Sequence, residues 1–327
     1  MVHAVVDCDA IKYAAASAGE KRTIQVIHTP SGRDMEFKTR TEFYGGLKRD
    51  GGYLAQINKG RDSPFTLDQF QIKDIQTPEK IENVLHLAKM MMEKWLRAVK
   101  ADTHEGFLGA GDSWRVGRST IMEYKGNRKD LLRPIYLDEV GAYLERNYNV
   151  RTVRGLEADD WCVIACQDVE DSVMLAIDKD AMGTPCNVYN PGHPEWGITD
   201  CNQFGKLYKD EKGKIRGYGR LFLYYQICTG DTIDHYKANS ASKMKWGEAS
   251  GFKALVGCKN DKEAWAAMKA VYQKLYPEPT TVEGWRGEDI LVDWVYMLEE
   301  NFQMARMLRS EDDTVQATDV LRTMGLL

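Results

Sequence analysis

The sequence predicts an α/β protein with a parallel sheet, followed by a mostly helical C-terminal part. Three observations carry that expectation. Short apolar runs alternate with segments of helical periodicity through about residue 200. Several of those runs end in an acidic residue. Beyond about 218, helical periodicity dominates.

In chain order, Val2–Val6 is a short apolar run ending in Asp7, as expected of a buried parallel strand. Arg22–Ile27 and Met35–Thr39 flank Thr29-Pro-Ser-Gly-Arg-Asp34, a hairpin pattern with a Pro/Gly turn. Residues 44–64 are rich in glycine and charge and are expected to form a loop. Thr77-Pro78 is expected to open a long helix, with Thr at the N-cap and Pro in the first turn. Its apolar face would be Ile81, Val84, Leu85, Ala88, Met91, Trp95 and Val99. Gly106–Gly109 is a second strand candidate, Tyr136–Asn147 a helix and Val150–Val153 a strand. Ala158–Val169 reads as a helix and Val173–Ile177 as a strand ending in Asp178. Four helices are then expected over 218–229, 247–257, 261–275 and 288–309. The domain reading is an α/β body over 1–200, with 18–76 as a basic, hairpin-containing insertion, and a helical part over 201–327 packed on it.

The composition is that of a soluble globular chain: 43% hydrophobic, 28% charged. No apolar run approaches the length of a membrane span, and Asp7 and Asp9 interrupt any signal-peptide core. A cytoplasmic location is expected. Seven cysteines with no C-x-x-C pair argue against zinc ribbons and thioredoxin chemistry. Six histidines without H-x-x-x-H spacing leave oxygen as the expected metal donor. The net charge is −5, yet residues 20–61, 115–133 and 206–220 each carry +4 and residues 237–253 carry +3. Such strips suit local contact with a polyanion, or are solvated faces.

The informative feature is where the acids fall. In open parallel sheets, ligands bind beyond the carboxyl ends of the strands. Asp7 and Asp9 follow the first strand and Asp112 the second. Glu157, Asp159 and Asp160 open a helix after another, and Asp178 and Asp180 follow a fourth. Asp231 and Asp234 form G-D-x-x-D after a helix. So many carboxylates on one rim repel each other unless cations neutralise them. Oxygen ligands without His or Cys select Mg²⁺ or Mn²⁺. Acids enough for two ions point to phosphoryl or phosphodiester chemistry. Each acid also has an ordinary alternative. Glu157, Asp159 and Asp160 suit a helix N-terminus, Asp178-Lys-Asp180 suits a turn, and Asp231 to Asp234 could cap a helix.

In order, Val6-Asp7, Gly111-Asp112, Tyr124-Lys-Gly-Asn-Arg128, Gly155-Leu-Glu-Ala-Asp-Asp160, Asp178-Lys-Asp180 and Gly230-Asp-Thr-Ile-Asp234 resemble the 5′-nuclease family. That family includes flap endonucleases, polymerase 5′-nuclease domains and phage 5′→3′ exonucleases. Gln303–Arg309 is similar to the C-terminal helix of short podovirus-type exonucleases. The resemblance implies a PIN/5′-nuclease-like body and a Mg²⁺-dependent 5′→3′ exonuclease with two ions per site. Asp7, Asp112, Glu157 and Asp159 would hold the first ion. Asp160, Asp178, Asp180, Asp231 and Asp234 would surround the second. Lys125 and Arg128 would meet the scissile phosphate, and Tyr124 would stack on a terminal base. Arg118, Lys129, Lys237, Lys243 and Lys245 would lie along DNA.

The expected partner is DNA at duplex ends, nicks or flaps, in phage replication or recombination, with replication proteins as candidate partners and no membrane. Residues 236–251 lack the family's glycine-rich hairpin, which puts its monovalent cation site in doubt. Only 28 residues separate Arg128 from Glu157, little for a strand-threading arch. That spacing favours exonuclease action over the alternative flap endonuclease. The insertion at 18–76 has no counterpart; its basic hairpin would hold DNA or a partner, or be an elaboration. Two other classes compete: a haloacid-dehalogenase-like phosphatase using Asp7 and Asp9, and a non-catalytic nucleic-acid-binding protein.

Overall fold

In the computed structural model, residues 1–46, 48–129 and 131–327 are described. Leu47 and Asp130, which fall in the expected 44–64 loop and the 115–133 basic strip, lie outside the described residues. The chain opens with β1 (His3–Asp7), whose Ala4, Val5 and Val6 are fully buried, and α1 (Cys8–Ala18). A ribbon follows: β2 (Glu20–His28), β3 (Arg33–Phe37), short helices α2 (Arg40–Tyr44) and α3 (Tyr53–Asn58), and β4 (Phe70–Pro78). Then come α4 (Ile81–Ala98), β5 (Thr103–Ala110), α5 (Trp114–Arg118), α6 (Leu137–Asn147), β6 (Val150–Arg154), α7 (Ala158–Asp168), β7 (Ser172–Leu175), β8 (Asn187–Tyr189) and β9 (Ile198–Asp200).

The central sheet has the order β6-β5-β1-β7-β8-β9. Its first five strands run parallel and β9 is antiparallel to β8. All five carboxyl ends therefore open on one edge, which carries the segments beginning at Asp7, Gly111, Gly155, Ala176 and Asn190. Gly111 (φ 82°) and Gly155 (φ 82°) turn the chain there in the left-handed region, where a side chain would be strained.

The remaining elements are β10 (Lys206–Lys209), β11 (Ile215–Tyr218), α8 (Arg220–Thr229), β12 (Gly230–Asp231), β13 (Tyr236–Lys237), α9 (Glu248–Leu255), α10 (Asp261–Leu275), β14 (Thr280–Glu283), β15 (Asp289–Val292), α11 (Trp294–Ala305) and α12 (Ala317–Thr323). Two compact units result: one of 1–11, 90–132 and 141–327, the other of 12–89 and 133–140. The expected division near 200 thus marks a change of secondary structure inside the first unit. One continuous core there joins Val5, Phe107 and Met174 of the sheet to Trp265, Tyr272 and Phe302 of the helices. Six of the seven cysteines are buried free thiols, and Cys258 is half-buried. No helix among the described residues is long and apolar enough to cross a membrane.

Several local expectations need correction. Thr77 and Pro78 do not open a helix; they end β4, paired with Lys21 and Glu20 of β2, and α4 starts at Ile81. Local spacing cannot show β4, because its partner lies some 50 residues away. The α4 face is buried at Val84, Ala88, Met92 and Trp95, and Ile81, Leu85 and Met91 are half-buried, so Met92 joins the expected face. The 44–64 segment holds α3. The expected helix at 288–309 is the strand β15 followed by α11 alone, and residues 306–308 leave it in a non-helical path.

Candidate active site

The edge of the sheet brings the expected acids together through three local devices. The first is α7. Its N-cap is Glu157, and Asp159 and Asp160 occupy its first turn, where free backbone N–H groups favour negative charge. Glu157, Asp159 and Asp160 each offer an oxygen within 4.8 Å of the others. The second is the 124–128 turn. Lys125 sits in the left-handed region (φ 54°) and opens a 3-10 turn over Gly126–Arg128. The turn is clamped to G-D-x-x-D: Lys125 N donates to Asp234 O (3.0 Å), Asn127 to Thr232 O (3.1 Å) and Arg128 Nη2 to Asp234 Oδ1 (2.5 Å). The third is the β12–β13 pair, where Gly230 leaves no room for a side chain. A Cβ there would lie 2.4 Å from Lys237 Cα and from Tyr236 O.

Asp7 ends β1 and accepts from Asp9 N (3.1 Å). Burial, then the charges of Asp9 and Asp178, push its carboxyl up to about 7. Burial and Asp178 push Asp180 up to about 7 as well. Burial, Asp160 and Glu157 raise Asp159 well above the usual range. Glu157 moves the other way. Burial alone would raise it, but the Arg115 and Lys125 cations hold it at about 2. Lys125 Nζ donates to Glu157 Oε1, and Lys179 Nζ donates to Asp180 (2.6 Å) and to Asp231. Asp112 and Asp178 are exposed at the edge, and Asp178 accepts from Asp180 N (2.9 Å).

The donor set is all oxygen and crowded, and burial followed by like charge raises Asp7, Asp159 and Asp180. A hard divalent cation fits it. The sign of the pH effect follows. In the metal-free protein, carboxyls raised to about 7 hold protons that the unfolded chain has already released. Stability therefore falls as the pH rises from about 4 to about 7. Glu157 acts oppositely and only below its ordinary value, so it does not cancel this trend. Mg²⁺ is expected to raise the melting temperature more at about pH 8 than at about pH 5. Equal shifts at both would contradict this charge assignment.

Two of the expected site residues have partners that the sequence does not show. Asp160 is fully buried, and its oxygens accept from five donors. These are Arg115 Nη1 (2.9 Å) and Nη2 (3.0 Å), Trp114 Nε1 (2.9 Å), Leu308 N (2.9 Å) and Glu157 N (3.2 Å). Those bonds tie it to Arg115, and it also belongs to the Glu157–Asp159–Asp160 group whose oxygens could hold an ion. Arg115, 2% exposed, spans Asp160, Glu157 Oε2 (2.6 Å) and the Arg306 carbonyl (2.6 Å). The pair positions Glu157. Tyr124 was expected to stack on a terminal base, but it is 4% exposed. Its hydroxyl reaches Glu157 Oε2 (3.0 Å) and Asp234 Oδ2 (2.9 Å), so it ties two acids. One hydroxyl proton cannot serve both carboxylates at once. Burial raises Asp234, against the pull of Lys125 and Arg128.

Arg115, Trp114 and Lys179 escaped the sequence reading. Arg115 had one available signal, standing three residues after Asp112, but its partners lie 42 to 191 residues away. Asp9 accepts from Gly109 N (3.1 Å), joining α1 to β5. Of the expected DNA contacts, Arg118, Lys237, Lys243 and Lys245 are exposed. Lys129 is exposed but pairs with Glu123 (2.6 Å).

No family model matches the chain, and no curated protein matches it. Among solved structures, it is similar to the T5 D15 protein co-crystallised with metal ions, with a TM-score of 0.45 and 11% identity over 93% of this chain and 88% of that one. It is also similar to the bacteriophage T5 flap endonuclease in a pseudo-enzyme–product complex with DNA and metal ions (TM-score 0.38, 12% identity, 93% and 99% covered). A third is the zinc-bound T5 5′-exonuclease (TM-score 0.37, 14% identity, 66% and 76% covered). The solved structures similar to this chain thus include a 5′-exonuclease and a flap endonuclease of phage T5.

Proposed function

We propose that the chain is a Mg²⁺- or Mn²⁺-dependent nuclease that hydrolyses DNA from 5′ ends. The observation that supports this most is the meeting of Lys125 and Arg128 with the acids of three separate segments at one sheet edge. Asp7, Asp112, Glu157 and Asp159 would hold one cation, and Asp178, Asp180, Asp231 and Asp234 a second. Paired divalent ions bound there would activate a water and stabilise the leaving oxygen of a phosphodiester. The chain's own residues supply the rest. Lys125 and Arg128, each seated on a carboxylate, are freed toward a phosphate once those carboxylates are neutralised. Tyr124 and Arg115 keep Glu157 in place.

An exonuclease is favoured over strand threading because α6 and β6 occupy most of the chain between Arg128 and Glu157. Only residues 129–136 connect the 3-10 turn to α6. A cavity of about 420 Å³ lined by Lys179, Asp231, Lys237 and Trp246 continues the site toward the basic 237–245 segment. Phage replication proteins as partners belong to the same proposal.

The test is 5′-labelled duplex DNA with and without Mg²⁺, beside para-nitrophenyl phosphate. Mg²⁺-dependent release of short 5′ products is expected. No DNA cleavage, or turnover of the phosphate ester alone, would overturn the reading in favour of the binding protein or the phosphatase. Lys243 and Lys245 are exposed and have no ion pair among the described residues. Replacing both with alanine should reduce the slope of log affinity against log salt by about 1.8, equally for all duplex sequences. An unchanged slope would place this segment away from DNA.

A further inference from the structure

The unit formed by 12–89 and 133–140 contains its own concave site. The β2–β3–β4 ribbon packs Ile24, Val26 and Phe43 into a small core. On it lies a pocket of about 300 Å³ whose lining includes His28, Tyr53, Phe65 and Phe70, all half-buried, and exposed Arg33 and Arg61. That volume is at the lower end of the range for small-molecule sites. The rings form a cluster: His28 stands 4.9 Å from Phe65 and 5.0 Å from Phe70, and Phe65 lies 6.0 Å from Phe70. The Arg61 guanidinium covers the Phe65 face at 4.2 Å. Neither Arg33 nor Arg61 has an ion pair among the described residues. The acid beside Arg33, Asp34, accepts from Gln25 (2.5 Å) instead.

Two unneutralised guanidinium groups bordering a pocket of rings make a particular combination. A solvated basic face needs no aromatic pocket, and an ordinary apolar core needs no arginines without an acid partner. Residues 20–61 carry a net +4, so the surroundings also favour an anion. A planar base joined to phosphates satisfies both halves, because every base has a face to stack and the backbone supplies the charge.

We propose that this pocket binds one unpaired nucleotide of a DNA single strand, its base among Tyr53, Phe65 and Phe70 and its flanking phosphates on Arg33 and Arg61. The choice of a nucleic acid over other anionic aromatic ligands rests on the nuclease reading above. The site itself shares no residue with the acidic edge and works without metal.

The experiment measures fluorescence anisotropy of labelled dT12 with the full-length protein in EDTA, where no cleavage occurs. An abasic strand of the same length is the control. Wild-type protein should bind dT12 about tenfold more tightly than the abasic strand. Arg33→Ala with Arg61→Ala should weaken dT12 binding about tenfold and lower its salt slope by about 1.4. Both residues are exposed, so the variant is expected to fold, and circular dichroism checks that it does. Arg61→Lys should recover part of the affinity, since it restores charge without the planar fork.

Equal binding of dT12 and the abasic strand would overturn the base pocket. An unchanged affinity and salt slope in the double variant would overturn the arginine assignment. If an acidic peptide without bases displaces dT12 at equimolar concentration, the pocket serves a protein partner and the proposal fails. Mg²⁺-dependent cleavage by the wild-type protein is read in parallel. Lost cleavage with base-dependent binding intact counts against the nuclease alone, and the reverse result counts against the pocket alone.

Discussion

Lys125→Ala is expected to lower single-turnover cleavage of a 5′-labelled duplex by about 10²–10³-fold, the size of effect seen when one preorganised donor is removed. The ammonium touches Glu157 and lies near Asp234 and Asp159, all on the edge where the phosphate would arrive. An exposed lysine on a solvated loop would contribute only about 0–1 kcal/mol, so the two accounts differ by orders of magnitude in rate. Affinity for DNA should change by less than about threefold, because other cations hold the backbone. The backbone does not confuse the test. Lys125 already has a positive φ of 54°, and alanine meets nearly the same strain there. Lys125→Met should match Lys125→Ala, showing that charge matters and stem packing does not. Rates within about twofold of wild type for both variants would refute the assignment and reopen the phosphatase reading, which has no use for this lysine.

Asp160→Ala should unfold the protein more readily, with a loss of about 3–5 kcal/mol in urea titrations made without metal. This is the usual cost of removing one partner of a buried ion pair. The variant takes one of its two carboxylates from Arg115, which is 2% exposed, and leaves Trp114 Nε1 and Leu308 N without their acceptor. Against a typical total of about 5–15 kcal/mol, such a loss is severe. Asp160→Asn should cost less, because it retains an acceptor oxygen. Any variant that stays folded at low temperature should bind Mg²⁺ nearly as wild type does, since Glu157 keeps both Arg115 and Lys125. A urea midpoint unmoved by Asp160→Ala, together with lost Mg²⁺ binding, would return Asp160 to the metal.

The sequence by itself determined the parts of this protein whose information is local. A run such as Val2–Val6 buries itself as a central strand wherever it pairs, and an acid just after it must then stand at the strand's end. The same logic places Asp112, Glu157 and Asp178 on one edge, and the oxygen-only donor set points to hard cations before any fold is known. The hairpin at 22–39 and most helices were legible for the same reason. Tertiary structure decided what neighbouring residues could not. Asp159 and Asp160 are adjacent, but one residue turns a helix by about 100°. One carboxylate is left half-buried near Glu157, and the other is sealed against Arg115, whose further contact is the Arg306 carbonyl 191 residues along the chain. Tyr124 looked like a surface aromatic until Glu157 and Asp234 were folded onto its hydroxyl. Strand β4 exists because β2, some 50 residues away, pairs with it, and pairing across the chain leaves no periodic mark on the residues that pair. Burial and hydrogen bonding are set by contacts between distant segments, so each acid's position could be read in advance and its role could not.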